Sequence, residues 1–263
     1  MNQPAAEQLI PMVLEQHNGG IATLTLNRAA QFNALSEQMM TALQAALDAI
    51  AQDAAVRVVV LAAEGRAFCA GHDLKQMRAT PALDYYQTLF KQCSKLMLTI
   101  QQLPQPVIAR VQGIATAAGC QLVSMCDLAV ASSEARFAVS GINFGLFCAT
   151  PSVGLSRNVS RKQAMEMLLT GDFIDASTAM ARGLVNRVAA PEQLDAVVAQ
   201  LTANILSKPA VAVAMGKQLF YQQLEMGIDA AYQLAGQTMA CNMMDAAALE
   251  GVQAFIEKRA PQW

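Results

Sequence analysis

Histidine is almost missing from this chain, with two residues in 263, and no two cysteines stand at the CxxC spacing. A zinc finger and a redox dithiol are thereby excluded, and no metal site is expected. The six cysteines, Cys69, Cys93, Cys120, Cys126, Cys148 and Cys241, fall at irregular intervals and read as reduced thiols in a core rather than as a disulfide framework. Charge is sparse too: Asp, Glu, Lys and Arg make up 14% of the residues, for a net charge of -2. No basic surface for nucleic acid or anionic lipid follows from that balance. The most apolar stretch, residues 107–132, is broken by Arg110, Gln112, Gln121 and Asp127, so no window reaches the roughly 20 apolar residues of a membrane-spanning helix. The opening MNQPAAEQLIPM has neither a basic n-region nor an Arg-rich amphipathic pattern. No signal or transit peptide is therefore expected, and the protein is expected in the cytoplasm, with a small molecule as its partner.

What is present is hydrophobic: 54% of the residues, including fifteen methionines. A chain of this length buries a substantial core without covalent staples. Residues 13–16 and 21–26 are β-prone runs joined by His17-Asn18-Gly19-Gly20, whose Asn-Gly step signals a hairpin turn. From Ser36, an expected N-cap, Met39, Met40, Leu43, Ala46, Leu47 and Ile50 recur at helical spacing. The wholly apolar, β-branched run 58–62 reads as a strand covered on both faces, as do 107–111 and 128–131. Helical stretches at 83–103 and 118–125 separate them, which gives the strand–helix alternation of an α/β fold with a mostly parallel sheet. Beyond Pro151 helices dominate, at 161–169, 177–182, 191–206, 210–225 and, with breaks, 230–258. The expected organisation is a core of residues 1–200 and a C-terminal helical region, 201–263, whose apolar faces, with Phe220, Leu224 and Leu234, need a partner surface.

Two loops are the candidates for chemistry, each a weak signal taken alone. Gly65-Arg66-Ala67-Phe68-Cys69-Ala70-Gly71-His72-Asp73-Leu74 follows one buried strand, and Gly113-Ile114-Ala115-Thr116-Ala117-Ala118-Gly119-Cys120-Gln121 follows the next and starts a helix. Ligands of open α/β sheets bind at such carboxyl ends. Small side chains let main-chain N–H groups approach a ligand atom, and a helix N-terminus adds partial positive charge. Two such N–H groups aimed at one oxygen make an oxyanion hole.

Taken in order, these segments resemble the enoyl-CoA hydratase/isomerase family, the crotonase superfamily. The likeness runs through Leu26-Asn27-Arg28, Asn33-Ala34-Leu35-Ser36, Phe68 to Leu74, Gly119-Cys120-Gln121-Leu122, Cys126-Asp127-Leu128, Ala135-Arg136-Phe137, Thr170-Gly171, Ala181-Arg182-Gly183-Leu184-Val185-Asn186 and Phe255-Ile256-Glu257-Lys258-Arg259. The resemblance implies a spiral of ββα units, a homotrimer or hexamer built through the C-terminal helices, and lyase chemistry in fatty-acid or related acyl-CoA metabolism. The partner it implies is an acyl-CoA thioester, with coenzyme A arriving as part of the substrate and no permanently bound cofactor. By position, Ala70 and Ala118 would supply the oxyanion N–H groups. Arg28 and Ala30, with Ala70, Gly71, His72, Asp73 and Leu74, would line the coenzyme channel beside Gly119, and Phe255 and Lys258 of a neighbouring subunit would border the adenine and phosphates.

The sequence departs from the family where hydratases carry two glutamates: Gln121 and Gly141 stand there, and neither can act as a general base. His72 offers another route, since Ala-Gly-His-Asp loops occur in decarboxylating relatives, where the enolate needs a hole but no strong base. Three readings follow: an enzyme working through a thioester enolate, a malonyl-type decarboxylase using His72, and a non-catalytic acyl-CoA binder. Asp73 is expected to brace its loop or cap the next turn, and Ser140, Asn143 and Cys148 stand where water would be positioned.

Overall fold

The computed structural model describes residues 10–263; the stretch 1–9, on which the expectation about targeting peptides largely rests, lies outside the described residues. The chain opens with β1 (Val13–Asn18) and β2 (Ile21–Leu26), paired antiparallel. Because Asn18 pairs with Ile21, the two-residue turn is Gly19-Gly20, one position beyond the Asn-Gly step. Both glycines have positive φ, 57° and 84°, as a primed hairpin turn demands. Ser36 then caps α1 (Glu37–Ile50) by accepting the Met39 N–H at 3.2 Å.

Three ββα units follow. The first is β3 (Val58–Ala63), β4 (Ala67–Cys69), α2 (Leu74–Ala79) and α3 (Leu83–Gln102); the second is β5 (Val107–Val111), β6 (Ile114–Thr116) and α4 (Ala118–Met125); the third is β7 (Leu128–Ser132), β8 (Arg136–Ala138) and α5 (Ala149–Asn158). After these come α6 (Arg161–Thr170), β9 (Ile174–Asp175), α7 (Ala176–Ala181) and β10 (Arg187–Ala189). Each unit sends its first strand to a six-stranded sheet, β1-β2-β3-β5-β7-β10, and its second to a four-stranded sheet, β4-β6-β8-β9. Apart from the pairs β1·β2 and β8·β9 the strands run parallel. The expected mixed α/β architecture of ββα turns is the one observed.

The second sheet escapes periodicity because its strands are two or three residues long. α5 was masked by Pro151, which sits in the first helical turn, where its missing N–H has no helical acceptor to leave unpaired. β3 is buried along its whole length. Val59 and Leu61 face the main core with α1 and α3, while Val58 and Val60 pack with Ile108, Val130, Leu194 and Val198 of α8 (Leu194–Leu206). Residue 200, the expected boundary, falls inside α8.

Three helices complete the chain: α9 (Ala210–Leu224), α10 (Ile228–Met243) and α11 (Ala246–Glu257). They leave Ile228, Tyr232, Met239, Phe255 and Ile256 exposed, Phe255 to 84%. No single helix among the described residues is long and apolar enough to cross a membrane.

Candidate active site

The loop between β4 and α2 rests on a brace made by residues 28–36. Asn33, fully buried, donates from Nδ2 to the carbonyls of Glu64 and Ala67, both at 2.8 Å, and accepts the Arg28 N–H at Oδ1. Leu35 N–H donates to the Gly71 carbonyl at 2.8 Å, and Ala70 N–H donates to the Phe32 carbonyl at 3.0 Å. The amide expected to serve as an oxyanion donor is therefore engaged in the brace. At Gly71 φ is +92°, which turns the chain out of the brace. The next amide, that of His72, donates to no acceptor among the described residues.

The second loop meets the first by backbone-to-backbone contact. A Cβ placed on Gly71 would stand 2.9 Å from the Ala117 Cβ and 3.2 Å from the Ala118 nitrogen. One placed on Gly119 would stand 2.1 Å from the Cys69 carbonyl oxygen. Ala117, with φ 50° and ψ -121°, holds a backbone conformation that alanine adopts only under constraint, at a cost of about 1–3 kcal/mol. It presents α4 with the Ala118 N–H in the first helical turn, donating to no acceptor among the described residues. Two unengaged main-chain donors, from His72 and Ala118, thus flank one contact point.

These residues border a cavity of about 190 Å³ whose wall also takes in Met77, Phe90, Ser140, Gly141, Phe144, Leu146, Phe147 and Cys148. None of the described residues lining it carries a formal charge, His72 being neutral for the reason given next. The His72 ring packs edge-on against Phe90, 5.4 Å between centroids, and its buried Nε2 has no hydrogen-bond partner. Burial pushes its pKa down to about 4, so the imidazole is neutral at pH 7 and is no resident cation for a substrate carboxylate.

The shift makes acidification destabilising. Between the ordinary histidine value of 6.5 and about 4 the unfolded chain binds a proton that the native chain refuses, so stability falls as pH drops through that window. Urea titrations at pH 7 and pH 5 should show a loss on the order of 1–2 kcal/mol traceable to this residue. His72→Gln should lose correspondingly less, and an equal loss in both proteins would assign the acid sensitivity elsewhere.

The glutamate positions behave unlike one another. Gln121 is 4% exposed within α4, outside the residues that line the cavity, and its Oε1 has no partner. Gly141 does line the cavity, but its N–H donates to Cys148 Sγ at 3.3 Å, and a Cβ there would lie 2.6 Å from the Leu146 carbonyl oxygen and 2.7 Å from Cys148 Sγ. Thiol and backbone occupy the room a second glutamate would need. Burial pushes the Cys148 thiol up, which keeps it protonated. Ser140 lines the cavity with its hydroxyl 2.8 Å from that of Thr116.

On the coenzyme side, Arg28 Nη1 lies 3.8 Å from Asp73 Oδ2 and donates to Ser36 Oγ. Asp73 caps α2 by accepting the N–H groups of Lys75 and Gln76, as expected. Ala30 is exposed in the adjoining 3-10 turn and Leu74 at the cavity edge. Phe255 and Lys258 sit at the exposed end of α11, outside this chain's cavity wall. The sequence reading missed the aromatic wall of Phe90, Phe144 and Phe147; the apolar residues flanking Gly145 in a loop are the signal that announces part of it.

The chain is 43% identical over its full length to the frog (Xenopus laevis) enoyl-CoA hydratase domain-containing protein 3, covering 90% of that protein, and 42% identical to the human protein of that name over 93% of this chain and 80% of the other. The frog, rat, mouse, zebrafish and human proteins are all named as mitochondrial, which overturns the cytoplasmic expectation. Among solved structures, the enoyl-CoA hydratase of Mycobacterium smegmatis superposes with a TM-score of 0.96 at 62% identity, covering 97% of this chain and 99% of that one. The crystal structure of the human domain-containing protein 3 gives 0.93 at 40%, covering 96% and 100%. The sequence profile described as enoyl-CoA hydratase/isomerase matches residues 16–263, and the chain belongs to that family.

Proposed function

We propose that this protein binds an acyl-CoA thioester with its carbonyl oxygen between the N–H groups of His72 and Ala118, and that it stabilises the enolate formed there. The reading is supported by the close approach of Gly71 to Ala118, next to two amides, those of His72 and Ala118, that have no acceptor among the described residues and border an otherwise apolar cavity. In such a water-poor site a fixed donor facing developing charge contributes about 2.7–4 kcal/mol of transition-state stabilisation. Arg28 and the 70–74 loop hold the coenzyme at the mouth, and the exposed apolar faces of α10 and α11 join copies of the chain into a trimer or hexamer.

With Gln121 outside the lining and Gly141 hemmed in, no carboxylate among the described residues lining the cavity is available to activate water. Proton handling falls to His72, whose neutral imidazole accepts a proton most readily as negative charge builds on the thioester oxygen beside it. A malonyl-type substrate finds no resident cation here, and its second carboxylate would have to draw a proton onto His72 to gain one. The crowding at Gly141 instead supports a second reading, a binder of acyl-CoA without turnover.

Deuterium exchange at the α-carbon of butyryl-CoA in heavy water, followed by NMR, separates these readings because it reports the enolate whatever the full reaction is. Exchange catalysed by a protein that sediments as a trimer or hexamer is the expected result. Binding by calorimetry without exchange would support the second reading, and absence of any binding of coenzyme A thioesters would overturn both.

A further inference from the structure

We infer that the site selects an uncharged acyl chain of more than about six carbons, with the lip formed by Phe144, Leu146 and Phe147 as its specificity determinant; this rests on the acyl-CoA reading above. The cavity holds about 190 Å³. At about 30 Å³ for a group the size of water, that is room for roughly six such groups, the thioester carbonyl included. A longer chain must leave through the mouth, and the mouth is apolar. Phe144 is 74% exposed, Leu146 47% and Phe147 42%, and Leu74, 55% exposed, borders the cavity from the first loop.

Scattered exposed hydrophobic side chains are ordinary on a protein surface. Four that line one cavity are a patch, continuous with the interior and ready to cover an emerging hydrocarbon. Charge is refused by the same surroundings. A terminal carboxylate drawn into this cavity would give up its water with no resident cation to meet it among the described lining residues.

Isothermal titration of the intact protein with free coenzyme A and with acetyl-, butyryl-, hexanoyl-, octanoyl- and dodecanoyl-CoA tests this directly, with glutaryl-CoA as the charged comparison. Affinity should rise about threefold to fourfold per added carbon through hexanoyl and keep rising, less steeply, to dodecanoyl. Glutaryl-CoA should bind at least tenfold more weakly than a neutral chain of equal length. In a Phe144→Ser, Phe147→Ser double variant, the ratio of dodecanoyl to hexanoyl affinity should fall about tenfold.

Failure of free coenzyme A and every ester to bind would dispose of the acyl-CoA reading itself. If coenzyme A binds but chain length adds nothing, or glutaryl-CoA binds as tightly as its neutral counterpart, the inference fails while that reading stands. A dodecanoyl-to-hexanoyl ratio unchanged in the double variant would remove the lip from the account.

Discussion

Gly119→Ala should lower α-carbon exchange by about a hundredfold or more in a protein that still folds. The new methyl group would be placed 2.1 Å from the Cys69 carbonyl oxygen and 2.7 Å from its carbon, both main-chain atoms with no rotamer to escape through. Either α4 withdraws or β4 moves, by roughly an ångström, and the Ala118 N–H goes with α4. Displacement on that scale costs on the order of a hundredfold in rate, matching the loss of one oxyanion donor. The overpacking costs about 1–3 kcal/mol of stability as well. Circular dichroism and the sedimentation coefficient therefore need to accompany the kinetics. Gly216→Ala is the control, since Gly216 lies inside α9 with nothing within 4 Å of its added methyl. There the exchange of glycine for the best helix former should leave exchange alone and gain up to about 1 kcal/mol. A folded Gly119→Ala protein with an unaltered exchange rate would remove the His72–Ala118 pair from the mechanism.

The contrast between these two glycines shows what the sequence could and could not disclose. Local signals were readable: Ser36 and Asp73 cap their helices as their residue types promise, and the apolar run of β3 is a strand covered on both faces. The two small-residue loops were readable as close approaches of backbone, since Gly71 and Gly119 leave no room for a Cβ, though tight packing alone explains small residues there equally well. Which amide in the first loop is left without an acceptor was not readable. Ala70 and His72 differ only through the turn at Gly71, and the acceptor that engages Ala70 belongs to Phe32, thirty-eight positions away in sequence. Gln121 and Gly141 looked equivalent as missing carboxylates. Folding separates them into one buried side chain outside the cavity lining and one lining backbone where an added side chain would meet Leu146 and Cys148.

The largest loss of stability should come from Lys217→Met, because that lysine pins α9 onto the starts of β5 and β7 in the six-stranded sheet. Its side chain is 7% exposed, and its ammonium donates to the Ile100 carbonyl at 2.9 Å, the Gln105 carbonyl at 3.0 Å and Asp127 Oδ2 at 2.7 Å. Asp127 accepts in addition the Val107 N–H at 2.7 Å and the Tyr221 hydroxyl at 2.8 Å. One ion pair thus ties together the end of α3, the start of β5, the start of β7 and α9. Burial pulls the Lys217 pKa down and the attraction of Asp127 pulls it back up. Removing only the lysine leaves a carboxylate buried without its cation, at a cost of about 3–5 kcal/mol. For a chain of this size the melting temperature should fall by roughly 10 °C. Combining Lys217→Met with Asp127→Asn removes the stranded charge and should recover part of that loss, so the pair should be strongly non-additive in urea denaturation. Strict additivity would mean that the two side chains act independently and that α9 is held by its apolar contacts. The sedimentation mass of the single variant then tests a linked consequence: α9 packs against α10, whose exposed apolar face is proposed to join the subunits, so loosening this anchor should weaken the assembly along with the fold.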